Sequence, residues 1–101
     1  YNPDHVTIPT EFTLDQNYPN PFNPTTKIRY AVPADGKVVI KVYNVLGQEI
    51  RTLVNEVKNI GRYDVTWDGR NATGQLVSSG IYFYRLEAGN VIKSKKMMFI
   101  K

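Results

Sequence analysis

The sequence predicts an all-β chain, an immunoglobulin-like antiparallel β-sandwich of about seven strands, from three observations. Apolar and polar residues alternate with the period of two that a half-buried strand requires, and the helical period of 3.6 appears nowhere. Glycine, proline, asparagine and aspartate interrupt this alternation at intervals of about 8 to 14 residues, the spacing of short strands joined by turns. Seven tyrosines and four phenylalanines among 101 residues tilt the composition toward strand formers. No stretch between strands has room for the crossover helices of a parallel sheet.

Each element follows from its residues. Residues 1–11 carry Pro3 and Pro9 among polar side chains and read as a linker or trimmed boundary, leaving 12–101 as the domain. Residues 12–14 form a short edge strand. Tyr18, Pro19, Asn20, Pro21, Phe22, Asn23 and Pro24 then hold three prolines, each lacking an amide donor and fixed in φ, so this segment is a stiff extended loop whose Phe22 plugs one end of the sandwich. From Thr25, Ile28, Tyr30 and Val32 oppose Lys27, Arg29 and Ala31. After the turn at Pro33–Gly36, Val38, Ile40 and Val42 oppose Val39, Lys41 and Tyr43, so residues 25–44 read as a hairpin.

Gly47 marks the next turn. Residues 48–55 alternate imperfectly, with Ile50 and Val54 on one face and Leu53 on the other, as at a bulge or an edge. Tyr63, Val65 and Trp67 point inward in a clean strand that ends at the turn-rich residues 68–74. Gly80 opens a strand in which Tyr82, Tyr84 and Leu86 share a face, and residues 88–90 return the chain into a last strand over 91–100, making a second hairpin. Trp67, Tyr82 and Tyr84 are core residues on this register, and Tyr43 and Phe83 are the exposed rings.

Composition removes several function classes. The longest apolar run is Met97–Ile100, far short of the roughly 20 residues of a membrane-spanning helix. There is no cysteine, hence no disulfide, thiolate ligand or cysteine nucleophile. The net charge of +4 favours acidic surfaces without naming one. The chain starts without methionine or a leader and reads as part of something longer.

No catalytic constellation emerges, so the domain is not read as an enzyme. His5 is the only histidine and falls in the linker, where a general base would not be held. Asp64 faces solvent in mid-strand and Asp68 starts a turn, which is strand decoration and capping rather than a convergent acid–base pair. The oxygen-rich residues 68–74 lack the alternating carboxylates and terminal glutamate of a calcium loop, and no phosphate-cradling glycine loop is present, so no metal and no cofactor is expected. Asn71-Ala72-Thr73 fits the glycosylation triplet, a match frequent by chance, whereas Pro24 blocks Asn23-Pro24-Thr25. Lys93, Lys95, Lys96 and Lys101 make the last segment basic without any readable nucleic-acid motif, so no nucleic-acid partner is expected.

Five segments taken together resemble one family. They are residues 14–30 with the proline loop, Val42-Tyr-Asn-Val-Leu-Gly-Gln-Glu49, Tyr63-Asp-Val-Thr-Trp-Asp-Gly69, Ser79-Gly-Ile-Tyr-Phe-Tyr-Arg-Leu86 and Lys95-Lys-Met-Met-Phe-Ile-Lys101. In this order they are similar to the type A C-terminal sorting domains of the type IX secretion system, the Por secretion system sorting domain family, over essentially all of 14–101. The resemblance implies a non-catalytic domain that directs a covalently linked N-terminal passenger through the outer-membrane translocon of a Gram-negative bacterium. It also implies removal by a sortase-like peptidase, transit through the periplasm, and arrival at the outer-membrane surface or in the medium.

By the same resemblance Lys95, Lys96, Met97, Met98, Phe99, Ile100 and Lys101 carry the sorting signal and contact the translocon, and Lys101 stands where the family's chains end. Pro19, Asn20, Pro21, Phe22, Asn23, Pro24, Gly47, Trp67, Gly80, Tyr82 and Tyr84 are family motif positions with structural roles. A terminal strand can present its edge and its side chains to a receptor, and the same edge could support a weak homodimer. Met97 and Phe99 lie on one face of that strand and Met98 and Ile100 on the other, so a strand with one solvated face leaves some apolar surface outside, the equal alternative being a last strand buried on both faces. Two alternatives are a structural interaction module like the immunoglobulin-like domain of flagellar hook-capping proteins, resembled through the hairpins and Trp67-Asp68-Gly69, and a carbohydrate-binding accessory domain, which would need exposed coplanar aromatics.

Overall fold

A computed structural model describes residues 8–101, so His5 and most of the segment read as a linker lie outside the described residues. Seven strands make two antiparallel sheets: β1 (Thr13–Leu14), β2 (Thr26–Val32), β3 (Gly36–Tyr43), β4 (Glu49–Lys58), β5 (Gly61–Trp67), β6 (Gly80–Ala88) and β7 (Val91–Phe99). The smaller sheet has the order β1-β2-β5 and the larger β4-β3-β6-β7. β2, β3 and β6 bury the alternate residues their patterns predict, whereas on β5 only Trp67 is fully buried and Tyr63 and Val65 are half-buried. Ile28, Tyr30 and Val32 from β2, Val38, Ile40 and Val42 from β3, and Tyr82, Tyr84 and Leu86 from β6 meet between the sheets.

The first hairpin does not exist. β2 and β3 belong to different sheets, and residues 33–35 carry the chain from one to the other. Alternation reports which face is buried, and both strands face the same core, so a corner and a hairpin leave the same pattern. The corner is held by Asp35, whose Oδ1 accepts the Ile60 amide at 2.7 Å, tying it to the second sheet change between β4 and β5. The hairpin of β6 and β7 is as expected, with Gly80 opposite Phe99 and Ala88 opposite Val91.

β4 is both an edge and bulged. Its register against β3 shifts twice, once between Ile40 and Lys41 and again between Val42 and Tyr43. Leu53 and Ile50 are the extra residues, which accounts for the broken alternation, and the strand runs on to Lys58.

Hydroxyl groups fasten the two sheets at their corners. Tyr63 and Tyr82 each donate at 2.6 Å to a carbonyl four residues upstream, those of Asn59 and Ser78. Tyr84, fully buried on β6, donates at 2.6 Å to the Asp15 carbonyl and accepts the Asn17 amide at 2.8 Å, pinning the chain after β1 to the opposite sheet. Burial pushes its phenol up to about 12 against the ordinary 10.0, while the Asn17 hydrogen bond pulls the other way. Burial also raises Tyr30 and Tyr82.

A phenol whose value is raised on folding contributes stability that is complete below pH 10 and is lost as pH rises toward 12. Urea unfolding followed from pH 8 to 11.5 is therefore expected to show a flat midpoint up to about pH 10 and a steep fall beyond it. Tyr84→Phe lowers the midpoint at pH 8 and makes the alkaline fall shallower.

Candidate functional site

The residues that carry the sorting resemblance come together at one end of the sandwich. Thr26 pairs with Trp67, Tyr43 with Phe83 and Gly80 with Phe99, so the ends of β3, β5 and β7 and the starts of β2, β4 and β6 share that end. Chain entry is at the other: Thr13 pairs with Ala31 near the far end of β2, and Phe12 lines a pocket there with Val32 and residues 88–91.

The proline loop closes the near end. Its X-Pro bonds before Pro19, Pro21 and Pro24 are cis. Phe22, 2% exposed, sits with its ring centroid 5.0 Å from Phe99 in a stacked arrangement and 5.6 Å from Trp67 in a tilted one. Tyr82 meets the Trp67 edge at 5.5 Å, and the Trp67 indole donates to the Arg70 carbonyl at 2.9 Å. The residue after the Trp-Asp pair must be glycine. Gly69 has φ +74, and a Cβ there would lie 3.1 Å from both the Phe99 ring and the Pro24 carbonyl oxygen. Thr26 and Asn17, both buried, hold the loop from inside: the Asn17 amide donates to Thr26 Oγ1 at 2.9 Å, and both side chains donate to the Pro19 carbonyl.

The same loop covers the last part of the β7 edge. Phe22 donates its amide to the Met98 carbonyl and accepts that of Ile100, each at 3.0 Å, while Asn20 Oδ1 accepts the Met98 amide at 2.9 Å. Gln16 Nε2 donates to the Lys96 carbonyl at 2.7 Å, and Ser79 Oγ accepts the Lys101 amide at 2.8 Å. The even-numbered residues of β7 thus face outward along the edge. Among the described residues the outward backbone groups of Ile92 and Ser94 have no partner, and a groove of about 350 Å³ separates this part of β7 from residues 11–14.

Side chains of the terminal segment divide sharply. Met97 and Phe99 are each 1% exposed and belong to the core, whereas Met98 and Ile100 stand 40% and 47% exposed. Lys95, Lys96 and Lys101 are exposed as well. Met98 lies across from Ile81 and Lys96 across from Phe83 on the outer face of the larger sheet, which makes an apolar patch with a basic margin. Sequence reasoning missed Ile81 as part of this patch, because a strand's outer residues acquire neighbours only once the pairing register is known.

The other motif positions lie in turns, at a strand start and in the core. Gly47, with φ +81, closes the turn after β3 by donating its amide to the Asn44 carbonyl at 3.0 Å. Gly80 starts β6. Trp67, Tyr82 and Tyr84 are buried, as their register predicts, and so offer no exposed rings to a carbohydrate. Phe83 is exposed as expected. Tyr43 is instead half-buried under Arg85, whose guanidinium lies 4.8 Å from the ring centre, and Tyr18 is a further exposed ring. Asp64 faces Lys27 at 3.9 Å, and Asp68 accepts the Arg70 amide and faces Arg51, so the two carboxylates do not converge. No cluster of metal-ligating side chains exists among the described residues.

The profile of one family, described as the FlgD Ig-like domain, matches residues 22–94. No curated protein matches the sequence. Among solved structures, dimeric latent PorU from Porphyromonas gingivalis superposes with a TM-score of 0.69 at 20% identity, over 88% of this chain and 9% of that one. PorZ from the same organism, described as an essential bacterial surface component of the type-IX secretion system, gives 0.62 at 22% identity, over 85% and 11%. FLGD from P. aeruginosa gives 0.58 at 21%, over 73% and 57%. The chain therefore spans about a tenth of the length of the first two, and the likeness at these identities is one of fold.

Hydrogen exchange tests the loop's hold on β7. Amides of Met98 and Ile100 are expected to exchange slowly although they lie on an edge, and those of Ile92 and Ser94 quickly. Replacing Asn20 with alanine removes the Met98 acceptor and is expected to speed that amide at least about tenfold without changing Ser94.

Proposed function

The chain belongs to the FlgD Ig-like domain family, and from that premise we propose that it is a secretion address, a non-catalytic module that takes an attached passenger through a type IX outer-membrane translocon. The observation that carries this reading is the division of the terminal segment. Two of its apolar side chains build the core while Lys96, Met98 and Ile100 are offered outside, beside Ile81 and Phe83. A strand that served stability alone would place charge or small polar groups on that face. The family match ends at residue 94, so the segment assigned to sorting lies beyond the part shared with the family profile.

Further support comes from the neighbours in fold, one of which is described as a component of that secretion system. The partners on this reading are the translocon, a sortase-like peptidase and the passenger, and the protein is exported through the periplasm to the outer-membrane surface or the medium. A hook-capping-like structural role is the alternative that the family match and FLGD support.

Truncating the tail cannot test this, because removing Met97 and Phe99 removes core. The test is a fluorescent passenger carrying its own inner-membrane signal, fused to the domain in a host with type IX machinery, with Lys96→Glu, Met98→Gln and Ile100→Gln combined as the variant. The parent is expected on the surface or in the medium. The variant, with an unchanged unfolding midpoint, is expected to lose at least about tenfold of that export. Periplasmic retention of the parent beside a working control cargo contradicts the reading.

A further inference from the structure

The near end carries apolar groups that neither the core nor the terminal segment explains. Val45 and Leu46, at the tip of the turn between β3 and β4, are 65% and 79% exposed. The turn is nevertheless rigid. Asn44 Oδ1 accepts the amides of Leu46 and Gln48 at 2.9 and 3.0 Å, the Asn44 side-chain amide donates to Gln48 Oε1 at 2.7 Å, and Asn44 and Gln48 are joined through their backbones at 3.0 Å. Two large aliphatic side chains on a preorganised loop lose little entropy on being buried by something else. Leu76, also exposed, sits in the neighbouring loop, which is tied to the base of the turn by the Ala72 amide on the Ile50 carbonyl at 3.1 Å.

We propose that this end is a two-sided docking surface, the Val45 and Leu46 turn at its tip and the Phe83 and Met98 patch on its flank, for a partner protein with a concave apolar surface and an acidic rim. The inference rests on the secretion reading and extends the recognition surface beyond the terminal segment.

Three observations select that occupant. The strand β1 lies toward the opposite end, where Thr13 pairs with Ala31, so the described residues leading into it do not cover the tip. The acidic groups Glu49 and Asp68 face Lys41 at 3.1 Å and Arg51 at 3.4 Å, while among the described residues Lys96 and Lys101 have no ion-pair partner, so the surface offers cations and disfavours a second copy of itself. The tip extends beyond the end of β3 while the Phe83 and Met98 patch lies on the face of β6 and β7, two surfaces that a concave protein can cover together more readily than a planar bilayer.

The experiment replaces Val45 and Leu46 with serine in the passenger fusion, leaving the terminal segment intact, with Val57→Thr at the far end as control. Unfolding midpoints of the purified proteins establish that both variants fold. With the parent exported, the serine variant is expected to lose at least about tenfold of surface passenger and the Val57→Thr control none. A photocrosslinker at position 46 is expected to reach the same partner as one at position 98. Normal export of a folded serine variant overturns the docking proposal and leaves the secretion reading standing, whereas retention of the parent overturns both. Binding to vesicles of mixed neutral and anionic phospholipid that depends on Val45 and Leu46 also overturns it, in favour of a membrane occupant.

Discussion

The packing of Phe22 against Trp67 and Phe99 is the contact on which the rest of the near end depends. One ring comes from the proline loop, one from the last residue of β5 and one from the last residue of β7, so a single cluster joins both sheets and the terminal strand. Aromatic burial on this scale dominates the stability of a small domain without disulfides. The cluster also dictates its surroundings. Gly69 must lack a side chain because Phe99 and Pro24 occupy the space, and the proline loop must run along β7 because Phe22 has to reach in from that side.

Holding β7 in this way links folding to what the surface displays. Ile81, Phe83, Lys96 and Met98 become neighbours only when β6 and β7 pair, and that pairing is completed at its end by the Phe22 contacts. A receptor that reads these side chains together reads a property of the folded domain rather than of a linear peptide. The loop also shields the last edge groups of β7, leaving the backbone around Ile92 and Ser94 as the accessible part of that edge, next to a groove. Lysines at 93, 95 and 96 flank it, a composition that resists indiscriminate edge pairing while remaining compatible with an acidic partner.

Much of this was legible in the sequence, because alternation of buried and exposed residues is a local property. The faces of β2, β3, β5 and β6 and the buried Trp67 follow from it directly, while the turn residues 88–90 mark the β6–β7 hairpin and the three prolines mark the loop that carries Phe22. What alternation cannot report is which strand pairs with which. That is why the turn at residues 33–36 reads as a hairpin in the sequence, when Asp35 uses it as a corner between sheets. The disturbed pattern around Ile50 and Leu53 did carry its cause, since an inserted residue reverses the faces on either side of it. Nothing in the local sequence singles out Val45 and Leu46, and only the hydrogen bonds of Asn44 and Gln48 mark their turn as rigid.

The central claim, that Phe22 fastens β7 to the body of the domain, is tested most directly by a double-mutant cycle between Phe22→Leu and Phe99→Leu, with unfolding free energies measured in urea. Stacked rings in a shared cluster predict a favourable coupling of about 0.5 to 1.5 kcal/mol, beyond what the two losses contribute separately. Strict additivity, with each replacement costing the same whether or not the other ring is present, would contradict the account.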